Sequence, residues 1–119
     1  MIAPVEPSRG LVDFDDLSDE ELANRFDDAA ELVQQSSDDA LSVLAGIADA
    51  ARARRNDALA ARCDYLAARA NVNLGRLEPA LLLIDRAERG FVQAGSLVEA
   101  ARTVLGRMHV LDDLGRHRE

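Results

Sequence analysis

The chain has 119 residues, of which 48% are hydrophobic, a composition that suits one globular domain or part of one. Its net charge of −8 disfavours contact with the phosphate backbone, so we expect no nucleic acid partner. The N-terminal segment lacks the basic start and apolar run of a secretory signal, and no stretch approaches the roughly 20 apolar residues that span a bilayer. We therefore expect no membrane contact.

Residues 1–17 are rich in proline and aspartate, with Pro4 and Pro7 followed by an acidic run. This composition predicts a flexible, acidic N-terminal arm. The remaining residues, 18–119, are predicted to form a single helical-repeat domain.

The stretch LSDEEL predicts the start of the first helix. Ser18 is placed as N-cap, and Glu21 three residues later completes a capping box. Leu17 and Leu22 are spaced for the accompanying hydrophobic staple.

Four more helices follow from apolar spacing of three and four residues, and no segment alternates as a strand does. The second helix is expected to begin with Ser37 or Asp38 as its cap. The third spans about 57–74, with Gly75 ending it, and the fourth runs to about 94. The fifth spans about 97–114 and ends at Gly115. About five helices joined by short turns predict an all-α fold of antiparallel helix pairs.

The sequence repeats with a period of about 40 residues, a length that marks stacked helical repeats. The period equates the second helix with the fourth and the third with the fifth. The matching segments are AAR at 60–62 and 100–102, LGR at 74–76 and 114–116, and DDAL at 38–41 with EPAL at 78–81.

The stretch LGRLEPAL resembles the tetratricopeptide repeat (TPR), in the longer bacterial variety whose repeat has roughly 40 residues. The matching positions are Gly75, Glu78, Ala80, Leu81, Ile84, Ala87 and Ala68. The departures are Asp64, Asn71 and Arg107, where large apolar residues are usual, and Met108, where a small one is.

The resemblance implies a right-handed solenoid that binds a peptide or partner protein in a concave groove, without catalysis or cofactor. It also implies that a further helix would follow LGRHRE, so that the chain is truncated before its last helix. The alternative function is a sensory or regulatory segment of a larger bacterial enzyme or regulator, such as a caspase-like CHAT protease or a transcriptional regulator.

One face of the third helix carries arginines. Residues 40 positions later place further basic side chains at the equivalent positions of the fifth helix. By the resemblance, this face lines the groove and forms a cationic ladder for an acidic protein or peptide. The alternative is an ordinary solvated helix face. The candidate partner-binding residues are Arg62, Tyr65, Arg69, Arg76, Arg102 and His109.

The fifth helix also carries an apolar stripe that its neighbour cannot fully cover. Val104, Met108 and Leu111 lie on it, and Ala101 continues it. Because an uncovered apolar patch usually binds a partner, we expect self-association through this C-terminal helix, most simply as a homodimer.

No residue pattern predicts a catalytic, cofactor or metal site. Cys63 shares a helical stripe with Leu59, Leu66 and Ala70, which indicates a small core residue rather than a nucleophile. As the only cysteine it forms no internal disulfide, and a cytoplasmic location fits.

Overall fold

The computed structural model describes residues 13–118, with side chains placed as far as Gly115. All regular structure in this range is helical and no strand occurs in it, so the prediction of an all-α fold with five helices is confirmed. A short 3₁₀ turn, Phe14–Asp16, precedes the α-helices. These are α1 (Asp19–Gln35), α2 (Ser37–Ala53), α3 (Asp57–Asn73), α4 (Leu77–Gln93) and α5 (Leu97–Arg118).

The first helix begins as the sequence predicts. The amide of Glu21 donates to the Ser18 hydroxyl at 3.1 Å, and the amide of Ser18 donates to the Glu21 carboxylate at 2.8 Å. These two bonds form the capping box, and the Ser18 amide, followed by the Ser18 hydroxyl, holds the pKa of the Glu21 carboxyl below its ordinary value. Leu17 and Leu22 both belong to the core cluster beneath this end of α1.

The start of the second helix differs from the prediction. Ser36 is the N-cap and makes no side-chain capping bond, so the expected cap at Ser37 or Asp38 was wrong. Ser36 alone connects α1 to α2, and Ser37 is already helical. The Ser37 hydroxyl instead donates to the carbonyl of Val33 at 3.0 Å.

The three later turns share one geometry and recur at equal spacing along the chain. Each has three residues, with a left-handed residue at its centre: Arg55 (φ 59°), Gly75 (φ 76°) or Gly95 (φ 75°). In each turn the amide after the left-handed residue donates to the carbonyl five residues earlier, at 2.8 Å, which is the Schellman arrangement. Gly75 therefore ends α3 as predicted. Two such helix-plus-turn units make up one period of the sequence.

Gly115 occupies the next position in this series but does not end a helix. The fifth helix continues to Arg118, and Gly115 is not left-handed, so the prediction that α5 ends there was wrong. Glycine inside a helix costs only about 1 kcal/mol relative to alanine, so it permits a turn without forcing one.

Consecutive helices pack against each other, and α1 also contacts α3. The largest core cluster lies among α1, α2 and α3, and two smaller clusters join α3 to α4 and α5. Many of the buried residues are alanines, which allow close helix approach. The resulting stack is elongated, at 62 × 33 × 19 Å.

Residues 13–17, which we expected in the flexible arm, pack against α2. The ring of Phe14 covers Gly46, where any side chain would overlap it. Arg54 donates to the backbone carbonyls of Phe14 and Asp15 and pairs with Asp19 at 3.0 Å. Residues 1–12 of the predicted arm lie outside the described residues.

Candidate functional site

The odd-numbered helices α1, α3 and α5 contribute to one groove that contains two adjacent cavities. Tyr65 of α3 lines both cavities. The larger, about 250 Å³, is mainly apolar, with Phe26 of α1, Leu66 of α3 and Phe91 of α4 among its lining residues. Its volume suits one large apolar side chain better than a drug-sized ligand, whose pockets measure about 300 Å³ or more.

Three charged residues surround the larger cavity. The guanidinium Nε of Arg62 donates to the Glu99 carboxylate at 3.2 Å, so that pair is internally neutralised. Arg102 lies on the same cavity and forms no ion pair with any described residue. Its guanidinium is thus available to an anionic group that reaches the mouth of the cavity.

The smaller cavity, about 160 Å³, lies between α3 and α5. Besides Tyr65, its charged or titratable lining residues are Arg69 from α3 and His109 and Asp113 from α5. The two helices approach closely here because Gly106 has no side chain. A Cβ atom at this position would lie 2.6 Å from the Tyr65 hydroxyl oxygen.

The structure brings together five of the six candidate partner-binding residues. Arg62, Tyr65 and Arg102 line the larger cavity, and Tyr65, Arg69 and His109 line the smaller one. Arg76 lies apart from both: it is in the turn before α4, 3.8 Å from Asp38 at the start of α2. The predicted ladder is therefore two clusters joined by Tyr65, without a continuation to Arg76.

A second polar cluster was not predicted from the sequence. Asp64 is only 3% exposed, and both of its carboxylate oxygens accept hydrogen bonds from two arginines. Arg52 of α2 donates at 2.8 and 2.7 Å, and Arg86 of α4 donates at 3.0 and 2.9 Å. Asp64 thus connects three helices on the side of α3 away from the groove. The signal in the sequence was an aspartate where the repeat pattern expects an apolar residue.

Arg107 forms a similar connection between the last two helices. Its guanidinium pairs with Asp85 at 2.8 Å and with Glu88, both on α4. The hydrogen bond to Glu88, and to a smaller extent that to Asp85, raises the pKa of Arg107 above the already high value of an ordinary arginine. Arg107, which departs from the repeat pattern, therefore helps to hold α5 against α4.

Cys63 is buried in the core between α2 and α3, as predicted. Burial, with a smaller contribution from the neighbouring Asp64 carboxylate, raises the pKa of the thiol to about 12. The thiolate that nucleophilic chemistry needs is scarce at neutral pH. Among residues 13–115, whose side chains the structure describes, no cluster of His, Cys, Asp and Glu is arranged to hold a metal ion.

No helix within residues 13–118 combines the length and apolarity that a membrane span requires. The face of α5 directed away from α4 is nevertheless apolar and exposed. Val104, Met108 and Leu111, predicted as self-association residues, all lie on this face, together with Leu97, Val98 and Leu105.

Comparison of the chain with models of known protein families, with curated proteins and with solved structures found no match.

Proposed function

We propose that the protein is an interaction scaffold of TPR type, and that its groove binds an acidic peptide segment of a partner protein. The observation that carries this proposal is the guanidinium of Arg102, which pairs with no described residue and lies beside an apolar cavity. The cavity suits one apolar anchor side chain, and Arg102 suits a carboxylate next to that anchor through charge-assisted hydrogen bonds. Arg69 offers a second cation farther along the groove.

The charges of the groove support an acidic ligand although the whole chain is acidic. The two cavities are lined by three arginines, Arg62, Arg69 and Arg102, and by two carboxylates, Glu99 and Asp113. The groove therefore carries one excess positive charge, although the chain has a net charge of −8. This excess attracts acidic segments over short range, since surface charges are screened beyond about 10 Å at 0.1 M salt. We also propose a cytoplasmic location, which suits a reduced, buried Cys63.

The experiment measures retention of the protein on an array of acidic decapeptides, each with one central Phe, Leu or Met. Matching decapeptides with Ala at the centre serve as the comparison. We expect binding to need both the acidic residues and the apolar anchor, and to weaken as salt is raised. Arg69→Glu/Arg102→Glu should weaken binding at least tenfold, because two charge-assisted contacts become repulsions.

Two further variants separate the contribution of the groove charge to peptide binding from that of the apolar cavity. Ala30 lines the larger cavity, so Ala30→Leu should fill it and abolish the preference for an apolar anchor without changing the response to salt. Arg55 and Arg89 are both exposed and line neither groove cavity, so the double variant Arg55→Glu/Arg89→Glu changes the net charge by the same amount and controls for total charge. Acidic peptides that bind the wild type and the groove double variant equally would refute the proposal.

A further inference from the structure

The exposed face of α5 carries an apolar stripe with the spacing of a helix-packing seam. Its six positions follow each other alternately by four and three residues, which keeps them along one side of the helix. We name this set the outer stripe: Leu97, Ala101, Val104, Met108, Leu111 and Gly115. All six are exposed, and Val98 and Leu105 widen the apolar surface along one edge.

The internal repeat shows what covers the same positions on α3. One sequence period before Ala101, Val104, Met108 and Leu111 lie Ala61, Asp64, Ala68 and Asn71, and all four are buried. The fourth helix provides the cover: Ala61 clusters with Ala87 and Phe91, and Ala68 with Ala80 and Ile84. Asp64 pairs with Arg86 of the same helix. The outer stripe therefore stands at positions where this architecture packs a neighbouring helix.

We propose that the outer stripe binds the outer stripe of a second copy, with the two α5 helices antiparallel about a two-fold axis. The register chosen for this pair is the one in which residues lie opposite each other when their numbers add to 212. Each pair of facing residues forms one layer of the interface, and each layer then joins a larger side chain to a smaller one, as close packing requires. The layers are Leu97 with Gly115, Leu111 with Ala101, and Met108 with Val104 of the second copy.

The exposed area of the larger side chains on the outer stripe and along its edge fits this occupant. Leu97, Val98, Val104, Leu105, Met108 and Leu111 are between 39% and 69% exposed. Together they expose on the order of 600 Å² per copy, so that complete burial of this area in a pair corresponds to about 1,200 Å², the lower end of specific interfaces. No charged residue lies between Leu97 and Leu111 on this stripe, so two copies meet there without repulsion. The pairing is independent of ligand binding in the groove.

The oligomeric state of the full chain in solution tests the proposal. Light scattering should report about twice 12.9 kDa at high micromolar concentration and a fall toward 12.9 kDa on dilution. Met108→Glu and Leu105→Glu should each shift the protein to monomer, while far-UV circular dichroism shows that the helices remain. Both side chains are 60% exposed, so neither change disturbs the fold of one copy. Leu82→Glu, at a 72% exposed site on α4, is the matched control and should leave the dimer intact.

Cysteine cross-linking tests the antiparallel register. Leu105 lies nearest the two-fold axis, so Leu105→Cys should form a disulfide-linked dimer under mild oxidation. Leu97→Cys should not, because position 97 of the second copy lies at the far end of the seam. Efficient linkage through Leu97→Cys would overturn the antiparallel arrangement. A strict monomer at millimolar concentration, or a dimer unaffected by both glutamate variants, would overturn the interface itself.

Discussion

Arg55 adopts the left-handed conformation that glycine holds in the two later turns. Its φ of 59° is the only positive value among the described non-glycine residues. A side chain in this region costs about 1–2 kcal/mol, whereas glycine adopts it without strain but loses more entropy on folding. Since Arg55 is exposed and forms no ion pair with a described residue, Arg55→Gly should stabilise the fold by about 0.5–1 kcal/mol.

Urea unfolding followed by circular dichroism measures this difference. The reverse change, Gly75→Ala, places a side chain at the equivalent position of the next turn. It should destabilise the protein by about 1 kcal/mol, since the space around Gly75 is open and only its backbone conformation is unfavourable. A lower urea midpoint for Arg55→Gly than for the wild type would contradict this account of the turn.

The Cys63 thiol should be protected from thiol reagents as long as the protein is folded. Because the pKa is raised to about 12 from an ordinary value near 9, folding favours the neutral thiol. The resulting stability is fully present below pH 9 and is lost as pH rises toward 12. At pH 8, Ellman's reagent should react slowly with the native protein and rapidly in 6 M guanidinium. Rapid reaction under native conditions would show that the α2–α3 core opens locally.

The connection through Asp64 holds α2, α3 and α4 together. Asp64, Arg52 and Arg86 should contribute unequally to the free energy of unfolding. Asp64→Ala removes all four hydrogen bonds at once and should cost about 2 kcal/mol, since both arginines that lose their acceptor are partly exposed to water. Arg52→Ala or Arg86→Ala removes only one donor pair, and the other arginine still bonds both carboxylate oxygens. Each should cost about 1 kcal/mol, because these arginines are partly exposed.

Chemical denaturation of the three variants, completed by the double variant Arg52→Ala/Arg86→Ala, measures these costs. The double variant leaves the buried carboxylate without a cation, so its cost should exceed the sum of the two single changes. Strict additivity, or an Asp64→Ala cost below that of either arginine variant, would show that the carboxylate is not the centre of the connection.

The elements that could be predicted from the sequence are those that local chemistry determines. Ser18 and Glu21 lie three residues apart, and Gly75 marks its turn by its own conformational freedom, so both signals are readable in a short window. The cluster around Asp64 needs arginines that lie on two other helices, far from it in the sequence.

The groove depends on contacts of the same long range. The larger cavity needs Phe26 and Phe91 as well, which no local pattern connects to Arg102. Gly115 shows that a local signal can also mislead. It lies 20 residues after Gly95, where the repeat predicts the next turn, yet it lies inside α5.

At the scale of the whole molecule, the helices differ in how many neighbours cover them. The third helix lies between α2 and α4 and also meets α1. It contributes eight buried residues, including Cys63 and Asp64. The fifth helix packs mainly on α4, and its outer stripe is open. Because a stacked repeat is stabilised through contacts between neighbours, the cost of local opening should differ along the chain.

Hydrogen exchange followed by mass spectrometry should therefore find the slowest amides in 57–73 and faster ones in 97–118. At low micromolar concentration, where we expect a monomer, α5 should open without disturbing the larger core cluster among α1, α2 and α3. Raising the concentration should slow exchange in α5 alone, as the outer stripes of two copies cover each other. The Met108→Glu variant should exchange in α5 at a rate independent of concentration. Equal protection of α3 and α5 in that variant would mean that the stack opens as one cooperative unit, with the contacts between α4 and α5 as strong as those around α3.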